Sequence, residues 1–303
     1  MKLIATSVVR GARQGESHGG VYLVDFTARE ARRVVDWNTV GIDWQGRGWD
    51  RGLRGIAFDG ERILIAASDE LFAFDRDFRR IGSWRNPYLK HSHEIARHGD
   101  RLFLTSTGHD SILAFDLRAE RFTWGLRLRP EEGRIALTTF DPEQADGPPP
   151  ANAFHLNSVF ADDGGLYLAG LRTPGLLRYA DRRIALVATL PEGSHNARPF
   201  RDGVLFNDTA IDTLRYVTPS RQRSFRVPAY RDDQLSGCEH EDGKVARRHF
   251  ARGLCPIGDT LVAGGSSPST VALHDIDENR TTTMVTLSTD VRNAIHGLAA
   301  WPY

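Results

Sequence analysis

The sequence predicts an all-β protein, a six-bladed β-propeller forming one domain over residues 1–303. Three observations predict it. The chain repeats a strand–turn–strand unit. Its apolar runs are short and bounded by turn residues, with almost no helical periodicity. The last unit is incomplete, and the opening residues have the form of its missing strands.

The repeats run in order. The first is Arg54–Ser68 followed by Leu71–Asp75, and the second is His93–Thr107 followed by Ser111–Asp116. The third is Asn157–Gly170 with Gly175–Tyr179, and the fourth is His195–Thr209 with Asp212–Tyr216. The fifth is Arg252–Gly265 with Thr270–His274, and His296–Trp301 begins a sixth. Each unit sets a short strand against an Asp-Gly or Gly-Asp type turn, then an apolar β-run, a polar loop and an alternating strand. Residues Leu3–Val8 and Gly20–Phe26 supply the missing strands of the sixth unit. The last inner strand is therefore expected to pair with the first strands and close the ring, which removes exposed sheet edges.

Composition limits the function classes. The chain carries 39 Lys+Arg and 39 Asp+Glu, a formal charge of zero, which argues against general binding to nucleic acid or a membrane surface. No apolar run is long enough to span a bilayer, and the opening Met1–Ser7 has no long apolar stretch, so neither a membrane segment nor a signal peptide is expected. Two cysteines, Cys238 and Cys255, make no disulfide framework and no CxxC pair; a reducing cytoplasm is the expected compartment. Walker, Rossmann, GxSxG and HExxH patterns are absent from the sequence.

The chemistry concentrates where inner strands begin. Aligning the units on their turns makes Arg54, His93, Asn157, His195, Arg252 and His296 equivalent, with His91 and His155 two positions earlier on the same face. His195 follows His93 by 102 residues and His296 follows His195 by 101, so the three imidazoles come from alternate blades. That placement predicts a divalent transition metal held by His93, His195 and His296, with zinc first and iron, copper or manganese as alternatives. Glu94 is expected behind the ligands. His91, His155, Asn157 and Asn196 are expected to bind substrate, together with Trp49 from the long segment Trp37–Leu53. Arg54 and Arg252 are expected to hold an anionic group, since guanidinium binds carboxylate and phosphate bidentately. Tyr230, from the long segment Pro219–Ala251, is the candidate proton donor. A third long segment, Arg129–Phe154, contains the stiff run Gly147–Pro150 and is read as a crossing loop; His109, Asp110 and Asp208 are read as turn residues. The acidic run Cys238–Asp242 is read as a solvated loop.

The stretch Phe154–Asp162 resembles the six-bladed propellers of the gluconolactonase and strictosidine synthase type. Those proteins bind calcium through Glu, Asn and Asp at inner-strand starts, and Asn157 is the position of that type here. The phrases His155-Leu156-Asn157, Ser194–Arg198 with Asp202-Gly203, and Arg252-Gly253-Leu254 are similar to uncharacterised bacterial propellers, a likeness covering the second half of the chain. The layout of His93, His195, His296 and Arg54 resembles peptidylglycine amidating lyase, which implies three-histidine zinc with an arginine beside it. The resulting expectation is a metal-dependent lyase or hydrolase acting on a small anionic substrate. The alternatives are a non-catalytic propeller binding a peptide, a protein or a small anion, and a mononuclear iron or copper oxygenase.

Overall fold

The computed structural model describes residues 1–13, 15–38, 52–241 and 247–303. The fold is a six-bladed β-propeller built from six antiparallel sheets. β1 (Lys2–Val9), β2 (Gly19–Asp25) and β3 (Glu30–Asp36) form the first sheet, with β25 (Asn293–Ala300) as its inner strand. Next come β4 (Ile56–Asp59), β5 (Arg62–Ala67), β6 (Glu70–Phe74) and β7 (Arg80–Arg85). The third sheet contains β8 (Ile95–His98), β9 (Arg101–Ser106), β10 (Ser111–Asp116), β11 (Arg121–Glu131) and β12 (Arg134–Phe140). β13 (Leu156–Asp162), β14 (Gly165–Gly170), β15 (Gly175–Ala180) and β16 (Arg183–Thr189) form the fourth. The fifth is β17 (Ser194–Phe200), β18 (Gly203–Asp208), β19 (Thr213–Val217) and β20 (Gln222–Arg226). The sixth is β21 (Phe250–Ile257), β22 (Leu261–Ser267), β23 (Thr270–Asp275) and β24 (Arg280–Thr286). Among the described residues, no helix is long and apolar enough to cross a membrane.

The closure read from the sequence is present. β25 pairs antiparallel with β1, from Leu3 opposite Ala300 to Val9 opposite Asn293. The chain groups into two compact units: residues 1–54 with 207–303, and residues 55–206. In the first unit, Leu3, Ala5 and Val24 meet Ala263, Val271 and Ile295 in a core between adjacent sheets. In the second unit, one core joins Leu64, Leu71, Leu104 and Phe115, and another joins Ile112, Leu126, Val159 and Leu168. Middle strands such as β5 and β6 are therefore buried on both faces and read as continuous apolar runs. Outermost strands such as β7 and β16 have no buried residue and are exposed or half-buried throughout.

One segment departs from the sequence reading. Arg129–Phe154 is not a loop throughout: β11 runs to Glu131, turns at Glu132 and Gly133, and returns as β12, a fifth strand. Both turn residues have positive φ, 47° and 75°, the requirement of a type I′ hairpin. Pro219–Ala251 likewise contains β20 and two short 3-10 turns, Asp232–Gln234 and Cys238–His240.

Three inner strands carry a β-bulge in their first half. The extra residue is His296 in β25, Asn157 in β13, and one of the pair Arg252–Gly253 in β21. These are positions that the turn alignment made equivalent. Bulges re-aim side chains and bend the strand. At β21 the left-handed backbone is supplied by Gly253, φ 76°.

Candidate functional site

The predicted residues fall in both units, and each unit is described on its own. The second unit holds His91, His93, His155, Asn157, His195 and Asn196; the first holds Arg54, Arg252, Tyr230 and His296. Trp49 lies outside the described residues.

In the second unit, the inner strands β8, β13 and β17 are joined by side chains. The Asn157 amide, nearly fully buried, donates to the Ser194 carbonyl at 3.2 Å. The Ser158 hydroxyl accepts the Ala197 N–H at 3.1 Å. Glu94 spans all three strands: Oε1 accepts from Asn196 Nδ2 at 2.9 Å, and Oε2 accepts from the Val159 N–H at 3.2 Å. Protein encloses this carboxyl, although the residue keeps some solvent exposure. Desolvation pushes its pKa up to about 7, against the opposing pull of Asn196, Arg198 and the Val159 N–H. The sequence reading placed Glu94 behind a histidine; its hydrogen bonds instead go to Asn196 and the β13 backbone.

Three histidines at these strand starts have a defined tautomer. His93 Nδ1 lies 2.7 Å from the His91 carbonyl oxygen and 3.0 Å from Thr107 Oγ1. His195 Nδ1 lies 3.0 Å from the Gly193 carbonyl, and His155 Nδ1 lies 3.0 Å from Asn152 Oδ1. Arg172 donates to that same Asn152 oxygen, which fixes it as an acceptor. A carbonyl oxygen only accepts, so each Nδ1 carries the proton and, in the neutral ring, Nε2 carries the lone pair. The His93 and His155 rings meet edge to face, centroids 5.5 Å apart.

The backbone here is strained. His91, His155 and Asn196 each have φ of 54°, the left-handed region that β-carbons disfavour. Fully buried Asp110, read from the sequence as a turn residue, holds the His155 segment in place. Its carboxylate accepts the N–H groups of Ala153, Phe154 (3.1 Å) and His155 (2.8 Å). His109 and Tyr88 tether the Gly147–Pro150 run, through the Pro148 carbonyl and the Gly147 N–H.

In the first unit, Arg252 Nη1 donates to His296 Nδ1 at 3.3 Å. That assigns His296 the opposite tautomer, with its neutral-ring proton on Nε2. Buried Arg54 is fixed through its carbonyl, which accepts from Thr6 Oγ1; the same hydroxyl accepts the Gly297 N–H at 2.8 Å. Tyr230 sits elsewhere. Its hydroxyl bonds Thr270 at 2.5 Å and Thr286 at 2.8 Å, on the third and fourth strands of their sheet, which makes it a tether. Among the described residues, no three His, Cys, Asp or Glu side chains converge closely enough to hold a metal ion.

Solved structures match this chain nearly end to end. A chain of a nidogen–laminin complex covers 99% of this protein and is itself covered over 98%, with a TM-score of 0.60 and 10% identity. A protein of unknown function from Bacteroides caccae matches with a TM-score of 0.58 and 12% identity, covering 98% of this chain and 97% of that one. The likeness is one of fold. No protein-family model matches the chain, and no curated protein matches it in sequence. A propeller scaffold hosts unrelated functions, so the function of this one has to be argued from its site.

Proposed function

We propose that the protein is an enzyme, a lyase or hydrolase, that transfers a proton to or from a small substrate through Glu94. The observation that carries this reading is the enclosed Glu94 carboxyl, held by Asn196 and the Val159 N–H, with its pKa raised to about 7. A carboxyl titrating near neutral pH serves as acid and base alike, which is the condition general acid–base catalysis favours. Glu94 as a residue is half-buried, and in this reading substrate approaches from its exposed side. Asn196 and Val159 fix its orientation, and the Arg198 charge favours its ionised form. The His93 and His155 rings, in contact edge to face at the same strand starts, are further candidates for contact with substrate.

The test is turnover of a panel of sugar lactones, aryl esters and 4-nitrophenyl phosphate by wild type and Glu94→Gln. Turnover with a pH–rate inflection near 7 is expected, with kcat lowered about 10²–10⁴-fold in the variant. Equal turnover by the two proteins overturns the reading. So does a Glu94 carboxyl that titrates below pH 5 by carbon-13 NMR. No turnover across the panel together with such a titration leaves the non-catalytic binding propeller in its place.

A second reading, binding of a divalent transition metal such as zinc, is favoured by the tautomer of His93, His155 and His195. Metal-ligating histidines characteristically donate their other ring N–H to an oxygen. The described residues bring no three such groups to one point, so no catalytic step is assigned to a metal. Elemental analysis of protein purified without chelator decides it: about one zinc, iron, copper or manganese per chain supports the reading, and none after reconstitution removes it.

A further inference from the structure

In the first unit, three arginines gather round one aromatic ring: Arg10 from the end of β1, and Arg247 and Arg252 from the stretch that leads into and begins β21. The guanidinium carbon of Arg10, just after β1, lies 4.6 Å from the Phe250 ring centroid. That of Arg252, in the β21 bulge, lies 4.9 Å away, and that of Arg247, just before β21, lies 5.0 Å away. Arg10, Arg247, Phe250 and Arg252 are all partly buried, so the group is neither a solvated fringe nor a sealed core. Each arginine is positioned. The Arg10 backbone N–H bonds the Arg292 carbonyl at 2.9 Å, the Arg247 guanidinium bonds Asp212 and the Thr209 carbonyl, and the Arg252 guanidinium bonds His296.

Three guanidinium groups within about 5 Å of one centroid concentrate positive charge, and the Asp212 carboxylate on Arg247 offsets part of it. The ring face offsets a further part through its quadrupole. Guanidinium groups brought to one ring from two segments are planar donors, and such donors match the oxygens of a carboxylate or phosphate, which accept bidentately. The bulge at Arg252 directs one of the three, as bulges beside functional sites do.

We infer that Arg10, Arg247 and Arg252, arrayed on Phe250, form an oxyanion-binding site for the carboxylate or phosphate group of a ligand. Arg10 and Arg252 contact the anion, and Asp212 orients Arg247. Arg252 was read from the sequence as an anion ligand; Arg247 and Phe250, its near neighbours in the chain, and Arg10, far from it, were not. It is independent of the Glu94 reading, because the two rest on different side chains and are tested with different probes.

The experiment is calorimetric titration of the full chain with inorganic phosphate and, separately, with citrate, at low ionic strength. Wild type is compared with Arg10→Gln, Arg252→Gln and a control, Arg129→Gln, which removes an exposed arginine paired with Glu131 in the other unit. Saturable one-to-one binding of at least one probe is expected. It should weaken at least about 10-fold in Arg10→Gln and Arg252→Gln and stay unchanged in the control. Binding of phosphate alone identifies a phosphate ligand, and of citrate alone a carboxylate; binding of both supports a site for either. No saturable binding by either probe overturns the proposal, as does equal weakening in all three variants. Unfolding midpoints exclude misfolding, and two separate variants at the ring mean that failure of one to fold leaves the other to decide.

Discussion

Enclosure by protein is what moves the Glu94 carboxyl, and the sign of its effect on stability follows. Its folded-state pKa of about 7 lies above the ordinary value of 4.5 that it has in an unfolded chain. Between those two values the folded protein holds a proton that the unfolded chain has lost. The contribution of Glu94 to stability is therefore fully present below about pH 4.5 and is lost as pH rises through 7. Thermal unfolding midpoints measured from pH 5 to 8 should fall more steeply in wild type than in Glu94→Gln, whose side chain stays neutral. Parallel profiles would show that Glu94 is not the titrating group. Little of this was legible in the sequence. The glutamate stands next to His93 and reads as its companion, whereas its partners Val159 and Asn196 lie 65 and 102 residues away. Desolvation is a property of what folds around a group, and no local pattern encodes it. Tyr230 illustrates the same limit, since its two threonine partners lie 40 and 56 residues away.

At the scale of elements, the β-strands were legible wherever both faces are buried, because such strands are runs of Ile, Leu, Ala and Phe between turn residues. β12 was not. Its residues are mostly half-exposed or exposed, so Arg134–Phe140 lacks an apolar run, and the neighbouring prolines read as a crossing. Asp110 belongs to this scale because it organises a segment. It collects three backbone N–H groups that no sheet ladder reaches and thereby sets the left-handed start of β13 at His155. Removing a buried carboxylate strands those donors. Asp110→Ala should lower stability by about 2–4 kcal/mol, and Asp110→Asn, which keeps one acceptor oxygen, by less. Urea unfolding midpoints measure both, and an Asp110→Ala protein as stable as wild type would mean that the three N–H groups find other acceptors. The His155 ring resonances should shift in the same variant, since the loop that aims the ring has lost its anchor.

For the whole molecule, the decisive contact joins the two ends of the chain. β25 supplies the inner strand of the first sheet, and its Ala294, Ile295 and Leu298 are buried, with Ile295 and Leu298 in the core beside Leu3 and Ala5. The pairing was legible because a truncated last repeat and a matching pair of opening strands are both local patterns. Two changes separate the strand from its place in the sequence. A chain ending at Arg292 loses β25 and leaves β1 with a long apolar edge, so it should aggregate or fail to show a cooperative thermal transition. A circular permutant should keep the fold. The Trp301 N–H bonds the Lys2 carbonyl at 3.1 Å, which places the ends within reach of a short glycine–serine linker. New termini fit between Asp163 and Gly164, in the exposed turn that connects β13 to β14. The permutant should elute as a folded species and melt within a few degrees of wild type. If it aggregates as the truncated chain does, the order of the chain rather than the β25–β1 pairing governs folding. If the truncated chain melts cooperatively near the wild-type temperature, the last strand is dispensable and closure is not what holds the first sheet together.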